Sequence, residues 1–171
     1  MEVQEKRAAT ATHFKSLPMK KVLIAVDYDG HSQDVVEMGY SVAQAMNADV
    51  ALLHVVADQL YYSTLELSPL AGFSGFSNAD FMQYANNDGL IKAGHYFLDK
   101  LKHHLQDDTI ETLVKEGDYA EIIIKTAHQV HANIIIMGSH HKHWLDKMLW
   151  GSVSENVLHQ SKIPLLIIPI K

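Results

Sequence analysis

The sequence of 171 residues contains no cysteine. This absence excludes a disulfide framework, a thiolate metal site and catalysis by a cysteine nucleophile. The sequence also lacks an excess of basic residues, because 14 lysines and arginines stand against 20 aspartates and glutamates, giving a net charge of −6. Nucleic-acid-binding domains usually carry a basic surface, so we expect no nucleic-acid partner.

Long hydrophobic runs are missing as well. No apolar run approaches the roughly 18 residues that a membrane-spanning helix needs, so we expect no membrane partner. The first 18 residues, MEVQEKRAATATHFKSLP, contain no hydrophobic signal core, which predicts a cytoplasmic protein. Their polar composition predicts a flexible N-terminal arm over 1–18 and one domain over 19–171. An alternative is that the native chain starts at Met19.

What the sequence does contain is a regular alternation of apolar runs and amphipathic helical patterns. Nearly continuous apolar runs are typical of strands covered on both faces, and their alternation with helices indicates parallel pairing. The predicted strands are 22–26, 50–56, 110–114, 134–137 and 164–168, and the predicted helices are 32–46, 90–105, 119–130 and 152–160. The fold class is therefore predicted to be α/β, an open doubly wound five-stranded parallel sheet with helices on both faces, Rossmann-like. Residues 57–77 predict a long loop or flap.

Ligands of open α/β sheets bind beyond the carboxyl ends of the strands, where the strand order reverses. Asp27 directly follows the first predicted strand. Its carboxylate could accept hydrogen bonds from ribose hydroxyls or help to hold a divalent cation. The alternative is a turn-forming aspartate, because Asp-x-x-Gly is favourable turn chemistry.

A second candidate is the stretch 137–153, MGSHHKHWLDKMLWGSV. Gly138 after a strand would let a ligand approach the main chain, and Gly151-Ser152 would combine free N–H groups, a hydroxyl and a helix dipole into an anion site. The alternative is that Ser152 only caps its helix. Between the glycines lie three histidines, which could form a metal or pH-sensing cluster or lie in a solvated loop: His140, His141 and His143.

These motifs resemble those of the universal stress protein family over about residues 20–171. The blocks that carry the resemblance are 22–27, 52–55, 116–118, 135–140, 151–158 and 164–168. The resemblance implies a sheet of five parallel strands and a homodimer through the C-terminal strand, 164–170. The alternative is simply a buried edge strand. One branch of the family binds ATP through the motif G-x2-G-x9-G-[ST].

In this sequence the motif begins at Gly138 and ends at Gly151-Ser152 with the spacing of the family, but His141 stands at the middle glycine. The resemblance implies ribose or phosphate contact by Asp27, adenine contact by the backbone of Val55, nucleoside contact by Met137 and Gly138, and phosphate contact by the helix start. The predicted nucleotide-binding residues are Asp27, Val55, Met137, Gly138, His140, His141, Gly151, Ser152 and Val153. The implied ligand is an adenine nucleotide (ATP, ADP or AMP), with or without Mg²⁺.

Two departures from the family pattern leave the ligand open. A histidine at position 141 allows three interpretations: a phosphate end that favours AMP or ADP, a closed loop in a dimeric interaction module that binds no nucleotide, or the histidine cluster named above. Asp29 stands where the family commonly has a small hydroxyl residue, and a carboxylate near a polyphosphate is unfavourable unless a cation intervenes.

Catalytic motifs do not appear in the sequence. It has no GxSxG, HExxH or GxxxxGK[ST] pattern, and no histidine has a nucleophile at a recognisable spacing. His54 lies in a buried strand pattern and is predicted to be a core or strand-end histidine. We therefore expect a nucleotide-binding regulator of the stress response, assign no catalytic residue, and allow at most slow ATP hydrolysis.

Overall fold

The computed structural model describes residues 21–56, 87–140 and 152–170. In chain order, the elements are β1 (Lys21–Ala25), α1 (Ser32–Ala45), β2 (Asp49–Val56), α2 (Asn87–Leu105), β3 (Glu111–Glu116), α3 (Tyr119–Gln129), β4 (Ile134–His140), α4 (Ser152–Gln160) and β5 (Leu165–Ile170). All five strands are parallel and form one sheet in the order β3-β2-β1-β4-β5. The predicted α/β fold class is confirmed. The predicted arm over 1–18, the alternative start at Met19 and the predicted flap over 57–77 lie outside the described residues.

Helices cover both faces of the sheet, as the continuous apolar strands predicted. Because side chains alternate along a strand, Val22 and Ile24 of β1 pack with α1 and α2, whereas Leu23 and Ala25 pack with α3 and α4. Residues 22–25 of β1 are all buried. The sheet is thus the middle layer of three. Within the described residues, no helix combines the length and the apolar composition that a membrane span requires.

The strand order reverses between β1 and β4. The chain runs from β1 to β2 and then to β3 on one side of β1, and β4 then pairs with the other side of β1, with Ala25 opposite Met137. The carboxyl ends of β1 and β4 therefore lie side by side. In a doubly wound sheet this reversal leaves a crevice between the loops that follow the two strands.

One predicted boundary that affects the site is wrong. The sequence pattern ended the fourth strand at residue 137, but β4 continues to His140, with Gly138, Ser139 and His140 opposite Ile168, Pro169 and Ile170 of β5. The backbone groups of these three residues find partners because β5 extends to Ile170, two residues beyond its predicted end. Gly138 and His140 are therefore strand residues.

Candidate functional site

A cavity of about 270 Å³ lies at the carboxyl ends of β1, β2 and β4. Its floor comes from the ends of these strands, and its sides come from the turn before α1 and from the starts of α3 and α4. The lining residues that the structure describes are Ala25, Val26, Asp27, Tyr28, Asp29, Ser32, Val35, Leu53, Val55, Tyr119, Ile123, Gly138, Ser139, Ser152, Val153, Ser154 and Ile170. The cavity thus coincides with the switch point of the sheet.

In the turn between β1 and α1, both aspartate side chains accept hydrogen bonds from backbone N–H groups. Asp27 Oδ1 accepts the Tyr28 N–H at 2.8 Å, and Asp29 Oδ1 accepts the His31 N–H at 2.7 Å. Ser32 Oγ lies 2.5 Å from the Asp27 carbonyl oxygen and 2.7 Å from that of Asp29, and it accepts the Asp29 N–H at 3.2 Å. The bond between residues two apart makes Asp29 the turn-forming aspartate. Asp27 is exposed and borders the cavity.

Among the lining residues that the structure describes, these two carboxylates are the charged side chains. Among the described lining residues there is no lysine, arginine or histidine. The positive end of the α4 helix dipole, at Ser152, opposes the negative charge of the two carboxylates. A ligand with several negative charges would therefore need a cation, or groups beyond the described residues, to offset repulsion from Asp27 and Asp29.

His54 supports the turn from beneath. Its ring is fully buried, its Nδ1–H donates to the Val26 carbonyl oxygen at 3.0 Å, and its centroid lies 4.2 Å from that of Tyr28 and 5.5 Å from that of Phe97. Burial lowers the pKa of His54 below its ordinary value, and the nearby charge of Asp27 and the hydrogen bond to Val26 oppose this shift. The predicted burial of His54 is confirmed, but its Nε2 finds no hydrogen-bond partner among the described residues. Through Nδ1 the ring holds the main chain that leads into Asp27.

Gly138 has a packing role on the other side of the crevice. A Cβ on Gly138 would lie 2.8 Å from Val35 Cγ2 and 3.3 Å from Ile170 Cδ1. The absence of a side chain lets α1 approach β4 closely, in addition to leaving its main chain beside the cavity. Because side chains alternate along β4, Met137 and Ser139 face the opposite side, towards α3 and α4.

The structure brings five of the nine predicted site residues together at the cavity: Asp27, Val55, Gly138, Ser152 and Val153. Met137 packs in the core cluster beneath it and is 6% exposed. His140 is the last residue of β4. His141 and Gly151 lie outside the described residues.

Several polar lining residues were not among the predicted site residues, and Tyr119 and Ser139 are two of them. Tyr119 begins α3 directly after Asp118, whose Oδ1 accepts the Glu121 N–H at 3.0 Å and caps the helix. Tyr119 could have been predicted from the sequence, because the loop after β3 also lies at the carboxyl edge of the sheet. Ser139 could not be assigned without knowing that β4 continues past residue 137.

The histidine cluster considered from the sequence stays a prediction, because His141 and His143 lie outside the described residues. Within those residues, no three histidine, aspartate or glutamate side chains come together as metal ligands. Asp27 and Asp29 could still contribute oxygen ligands to Mg²⁺ if phosphate oxygens and water completed its coordination.

Comparisons with known proteins agree with this architecture. The family model described as "Universal stress protein family" matches residues 18–169. The universal stress protein MJ0577 of Methanocaldococcus jannaschii is 28% identical over 160 residues, which cover 91% of this chain and 98% of the relative. A solved structure of MJ0577 superposes with a TM-score of 0.63 at 25% identity, covering 91% of this chain and 99% of that one. A universal stress protein solved in complex with cAMP shares the fold, with a TM-score of 0.56, 16% identity and coverage of 91% and 100%.

Proposed function

This chain belongs to the universal stress protein family, and on that premise we propose that it is a stress-response regulator that binds an adenine nucleotide between the carboxyl ends of β1 and β4. The observation that carries the proposal is the cavity at the switch point, which is lined by Asp27, Gly138 and Ser152. A crevice at this position is where doubly wound sheets bind their ligands.

The lining supports one orientation of the nucleotide. Asp27 is exposed and has carboxylate oxygens suited to ribose hydroxyls, while Ser152 and Val153 begin a helix whose N–H groups suit a phosphate. Leu53, Val55 and Ile123 make the remaining wall apolar, as a base requires. We therefore propose that the adenine lies over the β2 side and the phosphates point towards α4.

The cAMP complex of a family member supports a nucleotide as the ligand class. The two carboxylates of the cavity favour a ligand with few phosphates, or one whose phosphates carry Mg²⁺. His141 at the middle glycine of the motif favours the same preference for AMP or ADP over ATP. The regulatory action would be binding rather than catalysis.

The test begins with the purified protein as expressed. Denaturing it and identifying the released small molecules by mass spectrometry is expected to yield an adenine nucleotide. Calorimetric titrations with ATP, ADP and AMP, each with and without Mg²⁺, are expected to give tighter binding of AMP or ADP than of metal-free ATP. His141→Gly is expected to raise the affinity for ATP more than that for AMP.

Ser41→Ala is a suitable control for these titrations, because Ser41 is exposed and its hydroxyl donates to the Glu37 carbonyl oxygen at 2.8 Å, away from the cavity. Tight ATP binding that His141→Gly leaves unchanged would remove the role given to His141. No binding by either protein would reject the nucleotide proposal.

A second candidate function is a dimeric interaction module that needs no nucleotide. It is favoured by β5, an edge strand whose half-buried residues Leu165, Leu166 and Ile167 are all apolar. Pairing of two such strands across a dimer axis would cover them. A stable dimer that binds none of the nucleotides would support this alternative.

A further inference from the structure

His54 is a buried titratable residue that lies beneath the cavity. Its ring is fully buried in β2, and its Nδ1–H donates to the Val26 carbonyl oxygen at 3.0 Å. The Val26 N–H in turn donates to the Leu53 carbonyl oxygen at 2.9 Å, so both backbone groups of Val26 are bonded to residues of β2. Asp27 is the next residue, and its side chain borders the cavity. The imidazole therefore fixes the point at which the chain leaves the sheet and presents Asp27.

The rest of the ring is packed against the turn, α2 and β3. Its centroid lies 4.2 Å from that of Tyr28 and 5.5 Å from that of Phe97. The Cβ position of Gly94 on α2 lies 3.1 Å from His54 Cδ2, so a glycine lets the helix approach the ring. Val114 of β3 is the residue opposite His54 in the sheet. Of these four neighbours, only Tyr28 can ionise, and the surroundings of the ring are largely apolar.

Three carboxylates lie on the same side of the sheet as the ring or in the turn above it. Asp27 is the one whose charge acts on His54. Asp29 is half-buried in the same turn, and Glu116 is exposed two residues beyond Val114 on β3. Burial lowers the pKa of His54, and the charge of Asp27 opposes this shift. A second proton on the ring would place an imidazolium among apolar side chains, which favours its movement towards water and away from Val26.

The Asp27 carboxylate is the group assigned to the ribose hydroxyls, so the inference rests on the proposed function. We propose that His54 is a positioning residue for the nucleotide: the neutral ring holds Asp27 in place for the ribose, and proton uptake by His54 weakens binding. A ligand that binds the form with a neutral His54 disfavours its protonation, and linkage makes this effect reciprocal. The dissociation constant of the nucleotide therefore rises as the pH falls.

The test measures dissociation constants by calorimetry at pH 7.5 and pH 5 in buffer without Mg²⁺. Circular dichroism at both pH values verifies that each protein is folded. The ligands are AMP and adenosine, because adenosine has no phosphate that could itself titrate in this range. For the wild type, the Kd of each ligand is expected to rise about tenfold from pH 7.5 to pH 5, within the limit of tenfold per pH unit for one proton.

Two substitutions of His54 separate its hydrogen bond from its titration. His54→Asn places an amide that can donate to Val26 but cannot take up a proton, so the adenosine Kd is expected to be nearly the same at both pH values. His54→Leu removes the donor, and binding of both ligands at pH 7.5 is expected to weaken about fivefold, the size of one neutral hydrogen bond. His95→Asn is the control, because His95 is exposed on α2, and it is expected to keep the wild-type pH dependence.

An adenosine Kd of the wild type that stays constant or falls between pH 7.5 and pH 5 would overturn the inference. The same result follows if His54→Asn keeps the full pH dependence, or if His95→Asn loses it. A wild type that binds neither ligand at pH 7.5 would reject the proposed function itself, whereas binding without a contribution from His54 would reject only the role given to this residue.

Discussion

At the scale of single residues, the polar groups of the site depend on a buried histidine beneath them. His54 donates from Nδ1 to the carbonyl oxygen of Val26, the residue that precedes Asp27. Its ring also packs against Tyr28, so it contacts the turn at two points. Burial holds the pKa of His54 below its ordinary value of 6.5, which keeps the ring neutral. The position of Asp27 is therefore linked to the protonation of a residue that does not line the cavity.

Because His54 is buried with a lowered pKa, we expect the free energy of unfolding of the protein to decrease in mild acid. Below pH 6.5 the unfolded chain takes up a proton at His54 before the folded protein does, so the unfolded state gains stability as the pH drops from 6.5 towards the lowered pKa. The free energy of unfolding should fall by at most about 1.4 kcal/mol per pH unit from this residue. The free energy of unfolding, measured with urea at several pH values between 7.5 and 5, is expected to depend less steeply on pH for His54→Asn than for the wild type.

His128→Asn serves as the control for this measurement, because His128 is exposed on α3. Its unfolding curve is expected to keep the pH dependence of the wild type. An equal slope for the wild type and His54→Asn would contradict the assigned role of His54.

How far the sequence predicts the site also depends on single residues. Asp27 and Gly138 could be located because each follows an apolar run, and the ends of parallel strands meet at one edge of the sheet. The side-chain direction of Ser139 was not predictable. It depends on the pairing of β4 with the end of β5, and a Gly-Ser-His segment does not have the apolar composition by which buried strands are recognised.

At the scale of elements, the crevice depends on how closely α1 approaches β4. The sequence suggested that Gly138 serves a ligand, but its Cβ position is directed at Val35 of α1. Val35 is 3% exposed and belongs to the core between the helix and the sheet. The same glycine therefore serves both packing and the cavity, and a motif alone cannot separate these two roles.

Substitution of Gly138 by alanine tests the packing role. The new Cβ would lie 2.8 Å from Val35 Cγ2, so either α1 or the Val35 side chain must move. Gly138→Ala is expected to lower the free energy of unfolding by about 1–3 kcal/mol, the usual cost of overpacking. In the background of Val35→Ala, where the clashing methyl groups are absent, the same substitution is expected to cost clearly less.

Urea unfolding of the four proteins in this double-mutant cycle gives the coupling free energy between positions 35 and 138. Additive losses would mean that the two side chains do not meet, and that the glycine is needed for the ligand alone. Nucleotide titration of the folded variants then measures the second role separately.

At the scale of the whole molecule, the two edges of the sheet differ in character. The β3 edge has exposed charged residues at Glu111, Lys115 and Glu116, which oppose pairing with another strand. The β5 edge instead has the apolar sequence LLIIPI. The alternation of strands and helices was enough to predict this fold, because each element has a clear period. Which edge would pair with a second molecule depends on the strand order, which the sequence does not display.

The backbone of β5 shows where a partner strand would bond. Ile135 N–H donates to the Pro164 carbonyl oxygen at 2.9 Å. In a parallel ladder the direction of the backbone groups alternates, so the groups of Leu166 and Ile168 face β4, whereas those of Leu165, Ile167 and Pro169 face away from it. Pro169, which has no N–H, fits an outward position.

We predict a homodimer through 164–170 that Ile167→Pro converts to a monomer. The substitution removes an outward N–H that a partner strand would need and leaves the bonds to β4 intact, so the monomer should keep the circular dichroism spectrum of the wild type. Leu166→Pro is the matched variant, because it removes an N–H that faces β4 and should lower the Tm directly. Light scattering after size exclusion at micromolar concentration measures the oligomer. A monomeric wild type would contradict the predicted homodimer. A dimer that survives Ile167→Pro would place the interface away from the β5 edge.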